Sequence, residues 1–89
     1  MAKEKEQYLE VELFWAPVEE KGKLEGKAKS ISSRNEMGNF DILPQHINFI
    51  TLIFDSIIID TKQQGKIEYE FNRGVLEVSN DKVKIFLQL

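Results

Sequence analysis

One histidine, His46, is the sole imidazole in this 89-residue sequence, so nucleophilic or acid–base chemistry near neutral pH would have to run through it. Ser30, Ser32, Ser33, Ser56 and Ser79 supply hydroxyls, but none stands in a G-x-S-x-G elbow that would expose it as a nucleophile. Glu10 with Glu12, and Glu68 with Glu70, are the carboxylate pairs. Each pair falls on the polar side of an alternating stretch, where solvated charges belong. Asp41 beside His46 is the remaining acid–base combination. With no cysteine, one histidine and no clustered Asp/Glu ligand spacing, a metal site has too few donors. Gly22, Gly26, Gly38, Gly65 and Gly74 are too dispersed to cradle a phosphate. No enzyme, metal or cofactor is expected, and His46 reads first as a solvated or hydrogen-bonded loop residue.

The elements that would carry these residues are short and extended. In Tyr8-Leu9-Glu10-Val11-Glu12-Leu13, the residues Leu9, Val11 and Leu13 share one face and the glutamates the other. Lys66-Ile67-Glu68-Tyr69-Glu70-Phe71 repeats the pattern with Ile67, Tyr69 and Phe71 inward. Leu76 and Val78 alternate with Glu77, and Val83, Ile85 and Leu87 alternate with Lys84, Phe86 and Gln88. A period of two is the signature of strands. Ala16-Pro17, Gly22, Gln63-Gln64-Gly65 and Ser79-Asn80-Asp81-Lys82 punctuate them as turns. Outside residues 45–56, no segment holds a 3.6 period long enough for a helix. Frequent turns between short strands predict an all-β sandwich or barrel.

Size and charge narrow the partners. A chain of 89 residues is one domain, expected over residues 8–89 with residues 1–7 as a flexible start. Net charge is −3, with Lys and Arg scattered among Asp and Glu, so no basic block addresses nucleic acid or anionic lipid. The charged N-terminus has no apolar h-region and is not read as a signal peptide. Ile47 to Ile59 is apolar but short and carries Asn48, Thr51, Asp55 and Ser56. A spanning helix needs about 20 apolar residues, so no direct membrane insertion is expected and the chain is read as soluble.

Leu13-Phe14-Trp15, Ile57-Ile58-Ile59 and Ile85-Phe86-Leu87 are apolar at consecutive positions, which makes both sheet faces apolar there. A second strand or loop can cover the outer residue, or it can sit singly at the surface. Clustered, such residues mark an interaction face, through which an isolated domain can also self-associate.

Gly38-Asn39-Phe40-Asp41-Ile42-Leu43-Pro44-Gln45-His46 reads as a stiff loop. Gly38 permits a tight turn, Phe40, Ile42 and Leu43 can anchor to the core, and Pro44 fixes φ at the exit. Loops held by a scaffold are where binding residues concentrate. This stretch resembles the pattern G-x-[FL]-G-[IL]-[LY]-P-G-H of the N-terminal domain of the F-type ATP synthase epsilon subunit, called delta in mitochondria. Leu24-Glu25-Gly26-Lys27-Ala28-Lys29-Ser30-Ile31 resembles that family's F-x-G-x-A-x-x-V strand. Gly74-Val75-Leu76-Glu77-Val78-Ser79-Asn80-Asp81-Lys82-Val83-Lys84-Ile85 resembles its G-[FV]-L-E-V-x-x-N-x-V-x-[VI] ending.

The resemblance implies a ten-stranded β-sandwich of two five-stranded sheets. It implies a non-catalytic rotor subunit that binds the gamma subunit and the c-ring and helps couple proton or sodium flow to ATP synthesis. Such a subunit works at the cytoplasmic side of the bacterial inner membrane, peripheral through the complex. The positions matching the ring-facing loop are Glu36, Gly38, Asn39, Phe40, Asp41, Ile42 and His46. Phe14, Ile58 and Phe86 are the candidates for an apolar gamma-facing side.

The sequence departs from the family pattern at Asp41 and Gln45, which replace two glycines, and at Asn72-Arg73-Gly74, which replaces S-G-G. Asn39 stands where a glutamate is frequent. If these backbones keep positive φ, Asp41 and Gln45 are strained. Family members usually continue into an ATP-sensing helical hairpin. After Leu89 no residues remain here to form one, so that inhibitory role is expected to be missing. The altered loop also suits a rival function, a free-standing epsilon-like domain serving as an adaptor outside the synthase.

Overall fold

The computed structural model describes residues 7–16 and 23–88. Their order is β1 (Leu9–Ala16), β2 (Lys23–Asn35), β3 (Gly38–Ile42), β4 (Phe49–Thr61), β5 (Gly65–Ser79) and β6 (Lys82–Gln88), six strands and no helix among the described residues. The alternation sorts side chains as expected. Leu9, Val11, Leu13, Leu76, Val78, Val83, Ile85 and Leu87 are buried, while Lys84, Phe86 and Gln88 between them are exposed. The 45–56 stretch enters β4, where Ile53, Ile57 and Ile59 are fully buried. No helix of the described residues is long and apolar enough to cross a membrane.

The sheet runs β1-β6-β5-β4-β2-β3, and β1 also pairs with β2, which joins the two sides of the sheet around one core. Every pairing is antiparallel except β1 with β6, which lie parallel with Leu13 opposite Ile85. The fold is all-β and barrel- or sandwich-like. In place of the expected ten strands in two sheets, the described residues form six strands in one hydrogen-bonded sheet. The reason is local. β2, β4 and β5 run for 13, 13 and 15 residues, well beyond the usual strand length. Register shifts at Ala28/Ser30 and Phe54/Asp55 bend them without interrupting the ladder.

Short turns close the strands. Thr61 Oγ1 accepts the Gln64 N–H at 2.9 Å and donates to Gly65 O at 2.7 Å, with Gly65 at φ 73°. Asn80 and Asp81 sit at φ 51° and 64°, the paired left-handed conformation that matches the twist of a two-residue hairpin. The turns expected at Pro17 and Gly22, and the expected flexible residues 1–6, lie outside the described residues.

Candidate protein interface

Register across four strands assembles an apolar row that no single strand displays. Leu52 lies opposite Val75, Val75 opposite Phe86, and Phe86 opposite Phe14. Their neighbours Ile53, Leu76, Ile85 and Leu13 are fully buried, so alternation turns the row outward. Leu52 is 58% and Phe86 48% exposed, while Val75 and Phe14 are partly buried. Phe14 and Phe86 stack with centroids 5.3 Å apart and planes 15° from parallel. One step along, Ile50, Glu77, Lys84 and Glu12 form the next row, and on the other side Phe54 faces Arg73. Apolar residues rimmed by charges are the usual anatomy of a docking patch.

Ile58 is not part of this row. It is partly buried and lies opposite Ser32 and Glu68, on the half of β4 beyond the bulge. Leu52 and Val75 take its place. Their only trace in the sequence is the run Phe49-Ile50-Thr51-Leu52-Ile53-Phe54, apolar but for its single Thr, and the pair Val75-Leu76.

The Gly38–His46 stretch divides into a strand and a loop. At the β2–β3 tip, Asn35 Oδ1 accepts the Met37 N–H at 2.9 Å and Gly38 turns the chain at φ 116°. Glu36 and Met37 project into solvent there. Gly38–Ile42 then pairs with β2 and, among the described residues, with no other strand. Asn39 and Asp41 point outward, Phe40 is partly buried and Ile42 is fully buried. Ile42 therefore packs into the core. Leu43, expected to anchor as well, is exposed. Asp41 lies in extended strand opposite Ser32, whose Oγ donates to Asp41 Oδ1 at 2.6 Å. Gln45 alone of the two substituted glycines keeps the left-handed backbone, at φ 71°.

His46 closes the loop. Its Nδ1–H donates to the Ile47 carbonyl at 2.8 Å, because a carbonyl can only accept. Its ring lies 4.9 Å from Phe49, which meets Phe40 edge-on at 6.2 Å. His46 and Asp41 thus bond to different partners and form no acid–base pair. Glu36 and His46 sit beyond opposite ends of β3, about 13 Å of strand apart or more. The candidate residues form a strip along the strand, not one spot. Among the described residues, no three His, Asp or Glu side chains converge as metal ligands.

Comparisons with known proteins agree with this architecture. The family model for the ATP synthase delta/epsilon chain β-sandwich domain matches residues 18–88. The ATP synthase epsilon chain of Clostridium botulinum (strain Alaska E43 / Type E3) is 34% identical over 62 residues, covering 68% of this chain and 46% of the relative. The chain thus spans about half the length of that relative. A chain in the central stalk/c-ring structure of Tetrahymena thermophila mitochondrial ATP synthase superposes with TM-score 0.73 at 14% identity, covering 97% of this chain and 67% of the other. One from Euglena gracilis mitochondrial ATP synthase (OSCP/F1/c-ring) gives TM-score 0.76 at 14% identity, covering 97% and 53%. At that identity the two structures speak for the fold alone. With most of its length matched by the family model and a sheet of the same fold, this chain belongs to the family of the ATP synthase delta/epsilon chain β-sandwich domain.

Proposed function

We propose that this domain is a non-catalytic rotor component of an F-type ATP synthase, docked on the gamma subunit through the Leu52-Val75-Phe86-Phe14 row. The single observation that carries the reading is that row: a solvent-facing apolar band four strands wide, rimmed by charge, on a chain of this family. The strip of Glu36, Gly38, Asn39, Phe40 and Asp41, with His46 at its far end, then faces the polar loops of the c-ring. Its edge-strand position supports this, since an edge can approach a partner closely. Ile42 serves from below as the anchor of that strip, and Ile58 is left to a different surface. The long strands β2, β4 and β5 serve two layers each, so that six strands do the work of a two-sheet sandwich. In a bacterium the domain would stand at the cytoplasmic side of the inner membrane, peripheral through the complex. There it helps couple ion flow to ATP synthesis.

The test is co-purification of the tagged chain with gamma and c-ring from native membranes. Leu52→Glu and Phe86→Glu should abolish gamma capture. Glu36→Lys should weaken ring retention without affecting gamma. Consistent absence of the wild-type chain from the synthase would sink the reading. It would favour an adaptor outside the complex, which the substituted positions Asp41 and Gln45 also suit.

A further inference from the structure

The β5–β6 turn touches the segment after β3 at two points. Asp81 Oδ1 accepts the Gln45 N–H at 2.6 Å, and the Asn80 N–H donates to Asn48 Oδ1 at 2.8 Å. Asp81 is itself tied down, since its carbonyl accepts the Glu10 N–H at 2.8 Å. The start of β1, the hairpin turn and the loop therefore meet at one residue. Inside the loop the His46 N–H reaches back to Leu43 O at 3.2 Å, a long bond. Gln45 meanwhile holds a left-handed φ of 71° that a side chain resists. A backbone N–H on a carboxylate is a charge-assisted bond, shorter and stronger than a neutral one.

We infer that Asp81 is a positioning residue for the loop. Its carboxylate holds Gln45 left-handed and thereby aims His46 onto Phe49 and Ile47 into solvent. The arrangement is bistable in a simple sense: without the carboxylate, Gln45 is free to return to negative φ, and the two residues after it swing with the backbone. The inference deepens the ring-facing reading and rests on it only for its binding arm.

Asp81 is at φ 64°, so Asp81→Gly removes the carboxylate without straining the turn, and Asp81→Asn keeps an Oδ1 acceptor. Amide exchange of Gln45 and the ring signals of His46 and Phe49 are followed by NMR in the 89-residue chain. The Ser79–Lys82 pair reports whether the turn itself survives. Asp81→Gly should speed Gln45 exchange about tenfold and shift both rings, and Asp81→Asn should stay within about threefold of wild type. Adding Gln45→Gly to Asp81→Gly should return the ring signals toward wild type, since glycine needs no carboxylate to stay left-handed. An unchanged Gln45 amide in Asp81→Gly, or no recovery in the double variant, overturns the inference. In the binding arm, purified c-ring should be held about fivefold more weakly by Asp81→Gly and recover with the double variant. If the wild-type chain binds no c-ring, the ring-facing reading fails while the NMR result still decides the role of Asp81.

Discussion

Phe14 and Phe86 stack across the pairing of β1 with β6, the only parallel one among the described residues. Their rings stand on the outer surface while Leu13 and Ile85, one position earlier, are fully buried. The stack is thus a surface feature built on core alternation, and it can be removed without emptying the core.

Truncating either ring separates docking from folding. Phe86→Ala should weaken association with gamma by about 1–3 kcal/mol, the scale of burying one large apolar side chain. Chemical denaturation of the isolated domain should show a smaller loss. Ile31→Ala, at a fully buried position, should cost about 2–5 kcal/mol in the same denaturation experiment. Equal losses for Phe86 and Ile31 would mean that the stack belongs to the core.

Gly74 admits no side chain. A Cβ there would lie 2.6 Å from the Phe86 carbonyl oxygen and 2.9 Å from Leu87 Cδ2. The first is backbone and cannot step aside without parting β5 from β6. Gly74→Ala should lower stability by about 1–3 kcal/mol as an overpacked site, visible as a reduced melting temperature. Gly26, which has open space around its Cβ position, should accept alanine with little change.

Tyr69 makes stability sensitive to alkaline pH. Burial against Trp15, at a centroid distance of 5.3 Å, raises the phenol above its ordinary value by disfavouring phenolate. A raised folded-state value means the folded protein holds the proton more tightly than the unfolded chain. That contribution is complete below the unfolded value of about 10 and is lost as pH rises through the folded one. Stability measured by denaturation should therefore fall above about pH 10, and Tyr69→Phe should flatten that slope.

Asp55, at the register shift between β4 and β5, trades strain for an exposed ion pair. It sits at φ 77°, and its Oδ2 meets Arg34 Nη1 at 3.1 Å with side chains 64% and 60% exposed. So open a pair is worth about 0–1 kcal/mol after screening, no more than the relief of a left-handed side chain at about 1–2 kcal/mol. Asp55→Gly should therefore leave stability unchanged or slightly raised, and Arg34→Ala should barely move the denaturation midpoint. A clear destabilisation by Arg34→Ala would show the ion pair to be stronger than its exposure allows.

Much of the scaffold was legible because period-two alternation is a local property. Leu9, Val11, Leu13, Val83, Ile85 and Leu87 could be assigned inward from neighbours one residue away, and Asn80-Asp81 announced its own turn. The outward apolar row was legible only in part. Phe14 and Phe86 stand out because each is flanked by apolar residues. Leu52 and Val75 join them through register, which is set by pairings between strands far apart in sequence. Ile58 fails to join for the complementary reason: it lies six residues beyond Leu52 on β4, where its cross-strand neighbours are Ser32 and Glu68 rather than apolar residues. Of the two substituted glycines, Asp41 relaxed into the strand because Ser32 and the β2 ladder receive it. Gln45 stayed left-handed beside Asp81, a carboxylate 36 positions away that local reading does not connect to it.

The insertion of β6 between β1 and β5 governs how the domain comes into being. Contacts between β1 and β6 span nearly the whole chain, which places the topology among those of high contact order and slow closure. During synthesis, β1 through β5 emerge with the β1 and β5 edges still lacking their shared neighbour. The row of Phe14, Val75 and Leu52 is then missing its central member. Closure of the sheet between β1 and β5 therefore waits on Lys82–Gln88.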